Sequence, residues 1–416
     1  MTLCLFNTLS RRKEPFVPLD PGRASLYLCG PTVYDDPHLG HARCAVVFDV
    51  MVRYLKVKGF DVTYVRNVTD IDDKIITRAR SRNQDFRTLA DHYLHRYSLA
   101  LARMNVRPPD VEPRASDYLR PICDCISALM QKGHAYLSAG DVYFSVTSFK
   151  GYGRLSGRSI GQIQGSPPNV EDGKKKHPAD FALWKAAKPE EPFWRSPWGN
   201  GRPGWHIECS AMSARLLGQV FDIHGGGTDL IFPHHENEIA QSAGISGKTP
   251  ARYWIHNGLV NMGAEKMSKS RGNGPSLFDL LDQYPADALR LLVLSKRYRR
   301  PLAYSPRAAH TAVCQLKRLQ SFFDGLPASG GRREDVDQGD TSLWRQFCSA
   351  MDDDFNFPQA LAVIFRGIKS CRRMPGNQAL YGDLIKMCRI VFGLSLEPIA
   401  GGRVAPSSFH RPDEAV

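Results

Sequence analysis

Apolar positions set out the chain's elements before any chemistry is considered. Leu26-Tyr27-Leu28 is a short apolar run stopped by Gly30 and Pro31, which predicts a strand. From Ala42 to Leu55 apolar residues recur on a helical period, with Pro37 where a helix can begin. After Gly59, Asp61-Val-Thr-Tyr-Val-Arg-Asn67 alternates and is β-branched, predicting a second strand. Strand, helix, strand in this order is a βαβ unit and implies a parallel sheet.

A helix ending near Arg80 is expected next, capped by Thr69 or Asp70. Helical spacing returns over Asp85–Met104 and Asp117–Gly133, with a proline-marked break at Val106–Pro113. His134–Leu137 and Asp141–Val146 predict a hairpin. Gly151–Pro203 is rich in glycine, proline and lysine, and no strand is read there. The α/β pattern resumes at Gly204. It predicts a helix over Ile207–Gly218, a strand from Phe221 into Gly225-Gly-Gly-Thr-Asp229, a helix over His234–Ala243 and a strand over Tyr253–Val260. A polar loop, Gly263 to Asn273, follows, and from Ser276 the pattern is almost wholly helical.

The expected fold is α/β: a Rossmann-like parallel-sheet domain over 1–300, with an inserted connective domain at about 85–203. A helical bundle follows at 301–396 and a loose tail at 397–416.

Charge narrows the partners. Of 416 residues, 55 are Lys or Arg and 42 are Asp or Glu, a net charge of +13, which favours a polyanion such as nucleic acid or phosphates. Ten scattered cysteines and no secretion signal point to reduced thiols in the cytoplasm. No apolar run is long enough to cross a membrane.

Two clusters carry candidate chemistry. His38 and His41, three apart at a helix start with Gly40 between them, share one face. Two imidazoles and the amides of a helix start suit phosphate. At the other end of the domain, Lys266 and Lys269 lie in a glycine-flanked loop. Their long ammonium stems suit a polyphosphate whose charge shifts toward a leaving group. His234 and Glu238 are i, i+4 on a helix, and Cys29 and Cys209 could join them as a zinc-type donor set. Core cysteines and a buried histidine are the alternative. His235 and Glu236 are read as pointing elsewhere.

Pro37-His-Leu-Gly-His41 and Lys266-Met-Ser-Lys-Ser270 together resemble the two signatures of class I aminoacyl-tRNA synthetases. The surrounding sequence resembles the cysteinyl-tRNA synthetase family in particular. The matching stretches include Leu28–Asp35, Tyr64–Lys74, Gly201–Met212, Phe221–Glu238 and Met351–Asn356. The resemblance implies activation of L-cysteine by ATP, with Mg2+, to an adenylate, followed by transfer to the 3′ end of tRNA(Cys). It implies one zinc ion per chain on Cys29, Cys209, His234 and Glu238, and catalytic roles for His38, His41, Lys266 and Lys269. It further implies that Gly40, Gly225, Gly226, Gly227, Asp229 and Lys269 bind ATP, and that Thr69 and Trp205 hold cysteine. For Trp205 a core position is the alternative. Zinc gives a physical reason for selectivity. A pocket separates near-isosteres such as cysteine and serine poorly by shape, whereas a thiolate-rich metal site distinguishes sulfur from oxygen.

The family's usual C-terminal anticodon module is not recognisable here, and a monomer is expected. Two rival readings follow: a ligase joining cysteine to an amino sugar, and a non-enzymatic tRNA-binding remnant. The intact motifs speak against the remnant.

Overall fold

The structure is a computed structural model and describes residues 2–163, 173–263, 265–267, 274–325, 341–374 and 376–397. Two short strands, β1 (Cys4–Asn7) and β2 (Arg12–Pro15), form an antiparallel hairpin. The chain then enters the centre as β3 (Arg23–Leu28), crosses over through α1 (Leu39–Val57) and returns as β4 (Asp61–Arg66), parallel to β3. The expected βαβ unit is present. α1 is apolar on most of its circumference because it lies between the sheet and the later helices: Val47, Phe48, Val50 and Tyr54 are all fully buried.

α2 (Asp73–Ser81) and α3 (Phe86–Arg103) follow. The cap of α2 is Asp72, whose side chain accepts from the Lys74 amide at 2.9 Å. Neither Thr69 nor Asp70 caps it. Asp70 accepts from the amide and hydroxyl of Ser116, and Thr69 runs beside Thr32.

Tyr97, Ala100 and Leu101 of α3 belong to the same core as α1 and β3. Leu89, Ala90 and Tyr93 at its start pack with α2 instead, and the stretch expected as an insertion continues beyond α3. That continuation comprises α4 (Leu119–Gln131), β5 (Ala135–Ser138), β6 (Asp141–Phe144), a one-turn α5 (Ile160–Ile163), β7 (Phe181–Ala186) and β8 (Gly201–Pro203). The four strands make an antiparallel sheet in sequence order, with Ile122, Ile126, Phe144 and Trp184 in a core shared with Ile207, Ala211 and Ala240 of the helices that follow. The strands β7 and β8 form where the pattern predicted none. β7 is partly covered at most positions, so it lacks the strict in-out alternation that marks a half-buried strand.

The parallel sheet is completed by α6 (Trp205–Leu217), β9 (Phe221–Gly227), α7 (Glu236–Ser246) and β10 (Ala251–Asn257). Its order is β4-β3-β9-β10, all parallel. A small sheet of β11 (Val260–Met262), β12 (Glu265–Lys266) and β13 (Leu302–Tyr304) lies beyond it, with α8 (Leu277–Gln283) and α9 (Ala286–Leu294) between its last two strands. The helices α10 (Pro306–Asp324), α11 (Ser342–Asp352), α12 (Phe357–Arg373) and α13 (Gln378–Ile385) follow, and a wide helical turn over Lys386–Val391 leads to the end of the described chain.

These helices share one continuous core with the parallel sheet, running from Leu3 through Leu316 to Leu396. A boundary at 300/301 would cut through it. Fully buried Arg290 fastens the junction. It donates to Asp49 of α1 at 2.7 Å and to the carbonyls of Met104 and Phe392. Lys269 and residues 398–416 of the expected tail lie outside the described residues.

Candidate active site and metal cup

In a parallel sheet the loops after the strands collect at the carboxyl edge, and ligand sites form there. Here the ends of β3, β9 and β10 and the start of α1 enclose a cleft of about 330 Å³. Cys29, His38, Gly40, His41, Trp205 and Asp229 are among its walls.

His38 is the N-cap of α1, and its Nδ1 accepts from the Gly40 amide at 3.0 Å. In return, Nδ1 of His41 accepts from the His38 amide at 3.2 Å. The two rings lie 4.0 Å apart, so the expected shared face is real. The amides, however, are not open. The Gly40 amide is taken by His38, and those of His41 and Ala42 donate to the His38 carbonyl. What this end of the 19-residue helix offers an anion is therefore the two rings and the helix dipole, with the Gly40, His41 and Ala42 N–H groups already engaged. A Cβ on Gly40 would sit 2.7 Å from the His38 ring, so glycine is what lets the ring fold back over the cap.

The glycine run after β9 divides in two. A Cβ on Gly225 would fall against the Phe48 ring of α1, and one on Gly226 would lie 2.8 Å from His235. At their Cβ positions these two glycines admit the protein's own side chains. Gly227 lines the cleft together with Asp229. Cleft residues missed in the sequence include Arg66 and Asn257, at the carboxyl ends of the two edge strands of the parallel sheet. The only signal for them was position at a strand's carboxyl end.

Trp205 is 38% exposed, lines the cleft and lies 4.4 Å from the His234 ring, so it is not a core residue. Thr69 differs. It is buried, and its hydroxyl lies 3.3 Å from Glu208 Oε2. It supports Glu208 and is not among the cleft walls. Burial, together with Asp72 and Asp70, pushes the Glu208 carboxyl well up, which favours the neutral form.

Beneath Trp205 four distant residues meet. Cys29 follows β3 directly, Cys209 is on α6, His234 precedes α7 and Glu238 lies in its first turn. Their donor atoms all lie within 4.8 Å of one another. Cys29 Sγ is 3.7 Å from Cys209 Sγ and 3.5 Å from Glu238 Oε1, which in turn is 3.1 Å from His234 Nε2. Two sulfurs, one imidazole and one carboxylate at this spacing fit a zinc ion. Burial holds His234 well below its usual range, helped by His206 and His224, so it stays neutral. Burial also pushes the Cys29 thiol well up, helped by Cys209 and Glu238. A nearby cation would reverse that and hold the thiolate.

Further imidazoles surround this cup. The Nδ1 atoms of His206 and His234 are 2.8 Å apart, and His235 Nδ1 is 2.8 Å from His256 Nε2. Such outer partners fix which ring nitrogen faces a metal. Glu236 does point away, accepting from the Ser156 amide. His235 does not, because its Nε2 is 3.3 Å from Cys29 Sγ. It lies in an irregular wide turn, with Phe232 off helical backbone, so the regular rotation per residue fails there.

Residues 15–314 match the family of tRNA synthetases class I (C) catalytic domains, and residues 346–396 match the DALR domain. The chain is 48% identical over 406 residues to the cysteine–tRNA ligase of Magnetococcus marinus, covering 94% of this chain and 83% of that one. The chain belongs to the cysteine–tRNA ligase family. A second family member, from Desulforudis audaxviator, is 51% identical over 374 residues, covering 87% of this chain and 77% of that one. Among solved structures, the LeuRS of Agrobacterium radiobacter K84 agnB2 in a ternary complex superposes with a TM-score of 0.62 at 11% identity, over 91% of this chain and 84% of that one. Mycobacterium tuberculosis methionyl-tRNA synthetase bound by methionyl-adenylate gives 0.59 at 15%, over 89% and 90%. At such identity these two share the fold of the cysteine–tRNA ligase family and nothing finer.

Proposed function

We propose that Cys29, Cys209, His234 and Glu238 hold a zinc ion and that this cup selects cysteine for a tRNA-charging reaction. The chain activates cysteine with ATP and charges tRNA, as its family does; the relatives at 47–51% identity are all tRNA ligases, so the amino-sugar acceptor is not favoured. The carrying observation is the convergence of those four donors within 4.8 Å at the edge of the same cleft as His38 and His41.

When bound, zinc supplies a soft Lewis-acid centre that takes the substrate sulfur as thiolate, which a serine hydroxyl does not match. Trp205 closes over His234 and shields the amino acid from water. His38 and His41 stand where the ATP phosphates reach the start of α1, and Mg2+ accompanies them. Asp229, beside Gly227, takes the ribose. Lys266 and Lys269 neutralise charge as it moves to pyrophosphate. Positioning and charge suffice for this step, in which the cysteine carboxylate displaces pyrophosphate from the α-phosphate. The adenylate is then transferred to the terminal adenosine of tRNA(Cys). All ten cysteines are free thiols, which suits the reducing cytoplasm where charging takes place.

Cysteine-dependent exchange of pyrophosphate into ATP, followed by acylation of tRNA(Cys), tests this. Both reactions are expected, with serine giving neither. Exchange that proceeds equally with serine, or acylation of glucosaminyl-inositol in place of tRNA, would overturn it.

A further inference from the structure

The cup described above is not the only place where donors converge. Cys29, His224, His235 and Glu238 also bring four ligand atoms within 4.8 Å of one another, all buried. The two sets share Cys29 and Glu238 and exchange Cys209 and His234 for His224 and His235. The two oxygens of Glu238 face different ways: Oε1 lies 3.1 Å from His234, and Oε2 lies 2.8 Å from His224. His235 presents Nε2 to Cys29 at 3.3 Å, and its other nitrogen is held by His256, which is itself tied to Thr8 at 2.8 Å. A ring held at one nitrogen with the other turned inward is the arrangement metal-binding histidines adopt.

We infer that this second set is an alternative seat for a divalent cation of zinc's borderline softness, one histidine layer deeper than the first. Because both seats need Cys29 and Glu238, one ion occupies one or the other. Entry to the deeper seat releases the Cys29 thiol proton to solvent, and the proton at His224 Nε2 moves to Nδ1, which has no hydrogen-bond partner among the described residues, so the ring binds as a neutral ligand. The ion then has one thiolate instead of two and is withdrawn from the Trp205 side of the cup. The deeper seat thus keeps the ion when Cys209 is unavailable, for example after oxidation of its thiol. The inference rests on the zinc reading only through the two shared residues.

Cobalt(II) replaces zinc in chelator-stripped parent protein and in Cys209→Ala, His235→Ala and Cys209→Ala/His235→Ala variants. Metal content after dialysis and the sulfur-to-cobalt absorption band are read, with circular dichroism as the folding check. Parent and His235→Ala are expected to hold the ion with a two-thiolate band. Cys209→Ala should still hold it, with the band about halved, since one thiolate remains. The double variant should bind about tenfold or more weakly than Cys209→Ala. If Cys209→Ala fails to fold, His234→Ala empties the first seat by its other ligand and is held to the same outcome. Loss of metal from Cys209→Ala as complete as from the double variant would overturn the second seat alone. A parent protein that binds no cobalt would overturn both seats.

Discussion

His38 does two jobs in this structure, and they can be separated. Its Nδ1 caps α1 by accepting from the Gly40 amide, and its ring faces the cleft where the ATP phosphates are proposed to lie. Replacing it with alanine removes both functions. Loss of an N-cap side chain costs about 1 kcal/mol. Unfolding entropy of about 2.1 cal/mol/K per residue over 416 residues gives about 0.9 kcal/mol/K, so the melting temperature should fall by only about 1 °C. Asparagine is among the best caps, so His38→Asn should restore that loss. The catalytic loss should behave differently. Removing one preorganised group from a developing charge costs roughly 10²–10³ in rate, and the shorter asparagine side chain does not place a donor where the ring's Nε2 stands. Both variants should therefore slow cysteine-dependent pyrophosphate exchange by a similar factor, while only His38→Ala melts early. Recovery of the exchange rate in His38→Asn along with the melting temperature would refute a phosphate role and leave only a cap.

Gly225→Ala should destabilise by about 1–3 kcal/mol, because its Cβ meets the Phe48 ring; an unchanged denaturation midpoint would contradict this packing. Arg290→Leu leaves the Met104 and Phe392 carbonyls without their buried donor and removes one of the cations on Asp49. A loss of about 3–5 kcal/mol in urea unfolding is expected, and a change under about 1 kcal/mol would count against the lock. Lys269→Ala should lower the rate of adenylate formation far more than it raises the KM for cysteine; equal effects on both would argue against a role in the transition state. His206 and His256 are each lowered to about 3 by burial, so they stay neutral in the fold but take a proton at about 6.5 once unfolded. Stability of the metal-free protein should therefore be full above about pH 6.5. It should fall toward pH 3 with these two residues adding about 1.4 kcal/mol per pH unit each, and urea midpoints at several pH values check the slope.

The first βαβ unit was legible because its signals are local. A strand run, two stop residues and a helical period each depend on neighbours in sequence, and all three point to one answer. The pairing of His38 with His41 was local in the same way. The cap of α2 failed by a few residues because Thr69 and Asp70 are engaged by Thr32, Glu208 and Ser116, partners far away in sequence. The strand β7 was missed because it is partly covered at most positions and so loses the alternation that reveals a strand.

The glycines after β9 show the limit most clearly. Three in a row suggested room for a nucleotide, and at their Cβ positions two of them admit Phe48 and His235. By itself the sequence determined the residue types that do the chemistry and the α/β order that carries them, since both are written in spacing of a few residues. Only the tertiary structure decided which sulfur, nitrogen and oxygen atoms share one cup, and that His235 and His224 border it. Those contacts close between strands and helices up to 209 positions apart. Their geometry follows from how the sheet and α1 pack, not from any period along the chain.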